Sequence, residues 1–374
     1  MRALLAANTA DFDAWDAYVA GHPHGTHTHL SWWLEAHRRP QLETAVALLR
    51  DEGSGGAAGA IRGGAAIYLF RLPVIRQAVA VVSAGPLIDA DAASSLGALL
   101  DEIAAHCTRE GAVLLQFEAF AADMTEPLRG HFTDRRPAAD PIWKLYHPSL
   151  WREFRVRLAG RTPDEIMAGF NQGTRRKIRG AQKAGVTIDA VRDEAGLREA
   201  WDIWCEDAQR QSYTPRPWEQ VRAIYRAASQ RDRGEVLTAH VGGQTAGFNF
   251  ILHFGIGTYY LHGGFRSALQ ETNPNHILQY EAMCRAQKRG AAYYSLAAPG
   301  RDGLYQYKSG FGGEIVDNTR FCSVPLRRMR LSLLRPMIGQ VRWMKAAKRW
   351  VVRGRGAAES TPAAGAATVD AEKS

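Results

Sequence analysis

Cysteine is scarce in this sequence. Cys107, Cys205, Cys284 and Cys322 are the only four in 374 residues, and no two have the close spacing of a zinc knuckle or a redox dithiol. This excludes a disulfide framework and predicts four reduced thiols. Long uncharged runs are also missing: no stretch of about 18 residues could span a bilayer as a helix. The opening MRALLAANTADFDAWDAY meets Asp11 and Asp13 before the apolar middle of a secretory signal develops, so the expected location is the cytoplasm. What is present is ordinary for a globular protein. With 46% hydrophobic and 23% charged residues, disordered and fibrous classes are out, and one or two domains with sizeable cores are expected.

The formal net charge of +9 is concentrated late in the chain, with eleven Arg and Lys and no acid between Arg320 and Arg355. A local basic segment points to an anionic surface more directly than a basic background does. Residues 326–355 are read as a basic amphipathic helix divided by Pro336. Met337, Ile338, Val341, Met344 and Val351 fall on one side, with Arg342, Lys345, Arg349 and Arg353 beside them. Two readings stand for it: peripheral contact with anionic lipid at the inner membrane face, or docking on the protein itself. Residues 356–374, small, polar and proline-bearing, are expected to be disordered.

Apolar patterning divides the rest into two units of similar order. The first has a helix near Asp11–Val19, a hairpin ETAVALLR and AAIYLFRL, the strand AVAVVSAGPLID, a helix from Ala92 to Arg109 and the strand AVLLQFEAF. In the second, the basic helix PDEIMAGFNQGTRRKIRGAQKAG precedes the strand VTIDAV, and further helices follow near Gly196–Gln211 and Trp218–Gln230. Three antiparallel strands then run through 235–265, turning at Gly242-Gly243 and Gly255–Gly257, before a helix Asn275–Arg289 and the strand AAYYSLA. The fold class expected is α/β, two tandem GNAT-like domains of mixed sheets flanked by helices. The expected spans are 1–158 for the first and 159–316 for the second.

An acyl-CoA enzyme of this type needs backbone N–H groups at a Gly-rich loop and helix N-terminus to take the pyrophosphate. Here the junction FRSALQETNPNHILQYEAM has no glycine between Gly264 and Gly290, and Pro274 occupies the turn. Coenzyme A is disfavoured as donor and no cofactor is expected. His22, His24, His27 and His29 lack catalytic metal spacing and an accompanying carboxylate, so no metal is expected either.

Several segments in order, SAGPLID, TRRKIRGAQKAGV, TYYLHGG, NHILQYEAMCRAQKRGAAYYSL and GLYQYKSGFGGE, resemble the FemABX peptidoglycan aminoacyltransferases and their GNAT-like relatives. The resemblance runs from about Pro23 to Cys322. It implies that the first domain is completed by a returning strand near 317–325, and it implies transfer of an amino acid from aminoacyl-tRNA to an amine of a peptidoglycan precursor. It also implies an aromatic-Lys pair at the transfer site, which maps onto Tyr307 and Lys308, with Tyr where the family commonly has Phe. A fixed cation beside a developing oxyanion is what acyl transfer from an ester requires, and Lys308 is the candidate.

Gly310, Phe311 and Gly312 form the following turn, where glycine permits close approach of a ligand. Glu314 and Tyr260 are candidates to orient or deprotonate the amine. Arg175, Arg176 and Arg179 lie on the basic helix with Lys177 and Lys183; the resemblance suggests that Arg175 or Arg179 grips a precursor diphosphate, and tRNA phosphates could use the same face. A precursor-binding basic residue near SWWLEAHRR is matched by Arg38 or Arg39. No heptad pair supports a coiled-coil arm between Arg161 and Gly185. Two alternatives stand beside the aminoacyltransferase: an acyl-CoA-dependent N-acyltransferase for exopolysaccharide or another envelope glycan, and a non-catalytic binding protein that kept the fold.

Overall fold

The apolar runs of both halves become strands of two seven-stranded mixed sheets. The computed structural model describes residues 1–53, 59–72, 77–142, 152–298 and 302–335. Both sheets lie within one unit, Met1–Leu326. Of the basic tail, residues 328–335 are helical; positions 336–355 and the segment 356–374 lie outside the described residues.

The first sheet contains β1 (Arg2–Leu5), β2 (Leu42–Arg50), β3 (Ile61–Arg71), β4 (Ala78–Ser83), the two-residue β5 (Leu87–Ile88), β6 (Ala112–Glu118) and β14 (Phe321–Pro325). Its order is β1-β2-β3-β4-β6-β14, with β5 also pairing β3. All neighbours are antiparallel except β4 and β6, which run parallel from Ala78 opposite Ala112 to Ser83 opposite Glu118. Helix α3 (Leu96–Arg109) packs Leu99, Leu100, Ile103 and Cys107 onto this sheet, the i, i+3, i+4 spacing of one helix face. Helices α1 (Thr9–Gly21), α2 (Ser31–His37) and α4 (Thr125–His131) complete this half.

The second sheet repeats the plan with β7 (Arg152–Arg157), β8 (Thr187–Ala190), β9 (Gly234–Val241), β10 (Gln244–Phe254), β11 (Gly257–Phe265), β12 (Tyr293–Ser295) and β13 (Glu314–Asp317). The order is β13-β7-β12-β11-β10-β9-β8, again with one parallel pair, β11 and β12. Strands β8 to β11 thus correspond to β1 to β4, and β12 to β6. The strand flanking the parallel partner is exchanged: β7, which follows the first half in sequence, joins the second sheet, and β14, which follows the second half, pairs with β6. The expected boundary at residue 158 is therefore displaced. Residues 152–157 belong to the second sheet because alternation turns Phe154 and Val156 into its core.

The basic segment expected as one helix is two. Thr162 caps α5 (Pro163–Ala168) through a capping box with Glu165, and Asn171 begins α6 (Gln172–Lys183) by accepting the Thr174 N–H at 2.7 Å. Helices α7 (Glu194–Gln211) and α8 (Trp218–Ser229) follow, then α9 (Pro274–Lys288) and α10 (Asp302–Ser309). Ile277, Leu278, Ala282 and Met283 of α9 join Ile178 and Ala181 of α6 over the second sheet.

Candidate active site

Strands β11 and β12 share only three registered residues, Gly257–Tyr259 with Tyr293–Ser295. Beyond them β11 continues along β10 with a register shift that leaves Leu261 unmatched, and the chain after Ser295 departs. A parallel pair that separates leaves backbone and side chains facing a gap. A cavity of about 510 Å³ opens there, lined by Tyr260, Gly263 and Gly264 of β11, Lys177 of α6, Asp207 of α7, Asn275 and His276 of α9, and Leu304 and Tyr307 of α10.

Tyr307 and Tyr260 therefore share one cavity. The Tyr307 hydroxyl donates to the Asn275 carbonyl at 3.0 Å, and its ring packs edge-on against His276. Burial holds both tyrosine hydroxyls above the usual phenol range, so both are protonated donors. Burial, reinforced by the Lys177 charge, lowers His276 to about 4, leaving a neutral imidazole at pH 7. The side-chain oxygen of Asn275 is buried without a hydrogen-bond partner.

Lys308 lies on the last turn of helix α10. It is 5% exposed, and its ammonium donates to the Ala298 carbonyl, just past the end of β12. Burial alone lowers it to about 8. The ammonium thus stands at the mouth of the separating pair, yet Lys308 does not line the cavity that Tyr307 lines.

The turn after it serves packing. The Gly310 carbonyl accepts the Asn171 N–H at 2.9 Å, and a Cβ at Gly310 would stand 2.3 Å from the Thr174 hydroxyl. Gly312 has φ +69° and would bring a Cβ to 2.1 Å from the Gly169 carbonyl oxygen. Phe311 is buried against Phe170, Tyr307 and His276. These three residues seat α10 on the α5–α6 junction; they offer no approach to a ligand. Glu314 is exposed on β13, paired with Arg155, away from the cavity.

The basic residues separate too. Arg175 turns back and donates to the carbonyls of Ala168 and Phe170, closing the end of α5. Arg176 and Arg179 are exposed on α6, outside the cavity. Lys177, undistinguished among its neighbours in the sequence, is the α6 cation that reaches the cavity. Arg38 pairs with Glu35 at 2.9 Å and lines a different cavity between α2 and α8.

The sequence reading also missed Arg216. It donates to His262 of β11 at 3.1 Å and lies 3.1 Å from the Nε2 of His37 in α2, tying the two halves together. Arg216 carries no motif, and Asn275 and His276 were quoted only as the start of a resembling segment; the fold gives them their places.

The acetyltransferase (GNAT) domain family matches residues 168–309, the segment that builds this cavity. Lipid II:glycine glycyltransferase of Staphylococcus aureus is 22% identical over 228 residues, 59% of this chain and 52% of that protein. The crystal structure of FemX superimposes with a TM-score of 0.75 at 17% identity, covering 90% of this chain and all of that one. The chain has the fold of FemX. A tandem GNAT protein from the clavulanic acid biosynthesis pathway shares the duplicated plan, with a TM-score of 0.53, 12% identity and coverage of 87% of this chain and 98% of that one. The chain spans about half the length of the curated relatives it matches. Among its described residues no helix is long and apolar enough to cross a membrane, and no three His, Cys, Asp or Glu are gathered for a metal ion.

Proposed function

We propose that this protein is an acyltransferase that forms an amide on an amine of a cell-envelope precursor, with an aminoacyl-tRNA ester as donor. The observation that carries the proposal is the separating β11–β12 pair, with Tyr260 and Tyr307 in its cavity and the Lys308 ammonium held just past the end of β12. The likeness to a lipid II glycyltransferase supports the acceptor class. In the reaction the acceptor nitrogen attacks the ester carbonyl carbon, and the carbonyl oxygen takes the negative charge. The C–O bond to the ribose then breaks, and the amine proton passes to the leaving hydroxyl. Lys308, released from Ala298 by the incoming carbonyl, places its ammonium on that oxyanion, and the Tyr260 hydroxyl is a donor for the same charge. Arg176 and Arg179, exposed on α6, are placed to hold phosphate, as is Arg38 on its own face. Peripheral membrane contact through the basic tail belongs to the same proposal.

A second reading, transfer from an acyl-CoA, is favoured by the acetyltransferase domain match. Against it stands the start of α9, where Pro274 has no N–H and the His276 N–H is already donated to Asn273. The test is the mass of a lipid-linked precursor after incubation with the protein and either charged tRNA or acetyl-CoA. Addition of an aminoacyl residue from tRNA alone, reduced about 10²–10³-fold in Lys308→Ala, is expected. Acetylation from acetyl-CoA, or full transfer by Lys308→Ala, contradicts the reading.

A further inference from the structure

The first sheet has its own parallel pair, and a second cavity of about 530 Å³ opens at its end, where Ala84 follows β4 and Ala119 and Phe120 follow β6. The opposite wall comes from the other sheet: Glu153 and Arg155 of β7, Tyr259 of β11 and Tyr293 of β12. No residue of the proposed transfer cavity lines it. The volume suits a small polar ligand.

Alternation on β7 that sends Phe154 and Val156 into the core sends Glu153 and Arg155 to this cavity. Arg155 donates its Nε to Glu153 Oε1 at 2.8 Å and its Nη2 to the same oxygen. The guanidinium lies 4.4 Å from the centre of the Tyr293 ring, and the Tyr293 hydroxyl is hydrogen-bonded to that of Tyr259. The pair is thus held rigidly, with Glu153 only 6% exposed. Its hydrogen bonds use one carboxylate oxygen and two guanidinium nitrogens. Glu153 Oε2 and Arg155 Nη1 take no part in them.

Withdrawing an ion pair from water costs several kcal/mol per ion unless the remaining lone pairs and protons are matched. The positions outside these hydrogen bonds are an acceptor on Glu153 and a donor on Arg155, of opposite charge. A lone anion or a lone cation matches one and repels the other. A ligand whose ammonium and carboxylate are adjacent matches both and closes a ring of four alternating charges. We propose that this cavity binds an α-amino acid group with both ends free, its ammonium on Glu153 Oε2 and its carboxylate on Arg155 Nη1. The rings of Tyr259, Tyr293 and Phe120 flank its hydrocarbon part.

Two sources supply this chemistry: a free amino acid, or the unsubstituted α-centre of a diamino residue whose side-chain amine is amide-linked. Saturation-transfer NMR on the full chain distinguishes them, with glycine, Nε-acetyl-lysine and Nα-acetyl-lysine as probes. Nε-acetyl-lysine should bind saturably and Nα-acetyl-lysine, whose α-amine is blocked, at least tenfold more weakly. Glycine equal to Nε-acetyl-lysine identifies a free amino acid as the source; glycine tenfold weaker identifies the linked residue. Glu153→Gln and Arg155→Gln should each lose binding at least tenfold. Equal binding of the two lysine derivatives by the wild-type chain, or no saturable binding of Nε-acetyl-lysine, overturns the proposal whether or not the variants fold.

Discussion

At the scale of single residues, the proposed chemistry rests on Lys308. Its ammonium is lowered to about 8 by burial, so it is mostly charged at pH 7 and loses its proton just above. An oxyanion donor must be charged, so the transfer rate should fall as pH rises through about 8. Lys308→Arg, whose guanidinium keeps its proton, should move that fall to higher pH. A Lys308→Arg profile that superimposes on that of the wild type would contradict the assignment. The resemblance singled out Lys308 and its aromatic neighbour as a pair contiguous in sequence. It did not mark Lys177 over Arg175, because what separates them is direction: Arg175 completes the end of α5, and Lys177 points to the cavity.

At the scale of elements, strand patterning and helix ends were largely legible and the glycine turn was misread. The hairpin of β2 and β3, the three strands β9 to β11 and helix α9 follow apolar periodicity and turn residues closely. Strand β1, only four residues long, gave too little pattern to separate from a coil, and Asn171 hid a helix start inside a continuous basic run. Glycine is ambiguous in sequence: the same absence of a side chain admits a ligand or a neighbouring backbone. Here it admits backbone. Gly312→Ala must place a Cβ against the Gly169 carbonyl at positive φ, and should cost ~1–3 kcal/mol of stability. Denaturant unfolding checks this; an unchanged midpoint would mean that α10 is not seated by this turn.

At the scale of the whole molecule, the duplication was legible from the repeated element order, whereas the exchange of β7 and β14 between sheets is a long-range choice that local pattern does not encode. The halves meet over buried histidines. Burial, with the nearby Arg216 charge, lowers His27 and His37 to about 3, and burial lowers His29 to about 4. In the unfolded chain these groups protonate near 6.5. They leave stability unaffected above that pH and subtract from it as pH falls below, each by ~1.4 kcal/mol per pH unit until the folded value is reached. The urea midpoint should therefore drop steeply between pH 6.5 and 4.5, and His27→Phe should flatten the slope by about one proton; an unchanged slope in that variant would contradict the neutral burial of His27. The central claim, that amide formation takes place in the β11–β12 cavity, is tested most directly by obstructing it. Leu304 lines the cavity and is half exposed, so Leu304→Trp fills the entrance without burying a new group. Single-turnover transfer from charged tRNA should fall at least tenfold in this variant while its Tm stays at the wild-type value. Wild-type transfer through the blocked cavity would show that the chemistry occurs elsewhere.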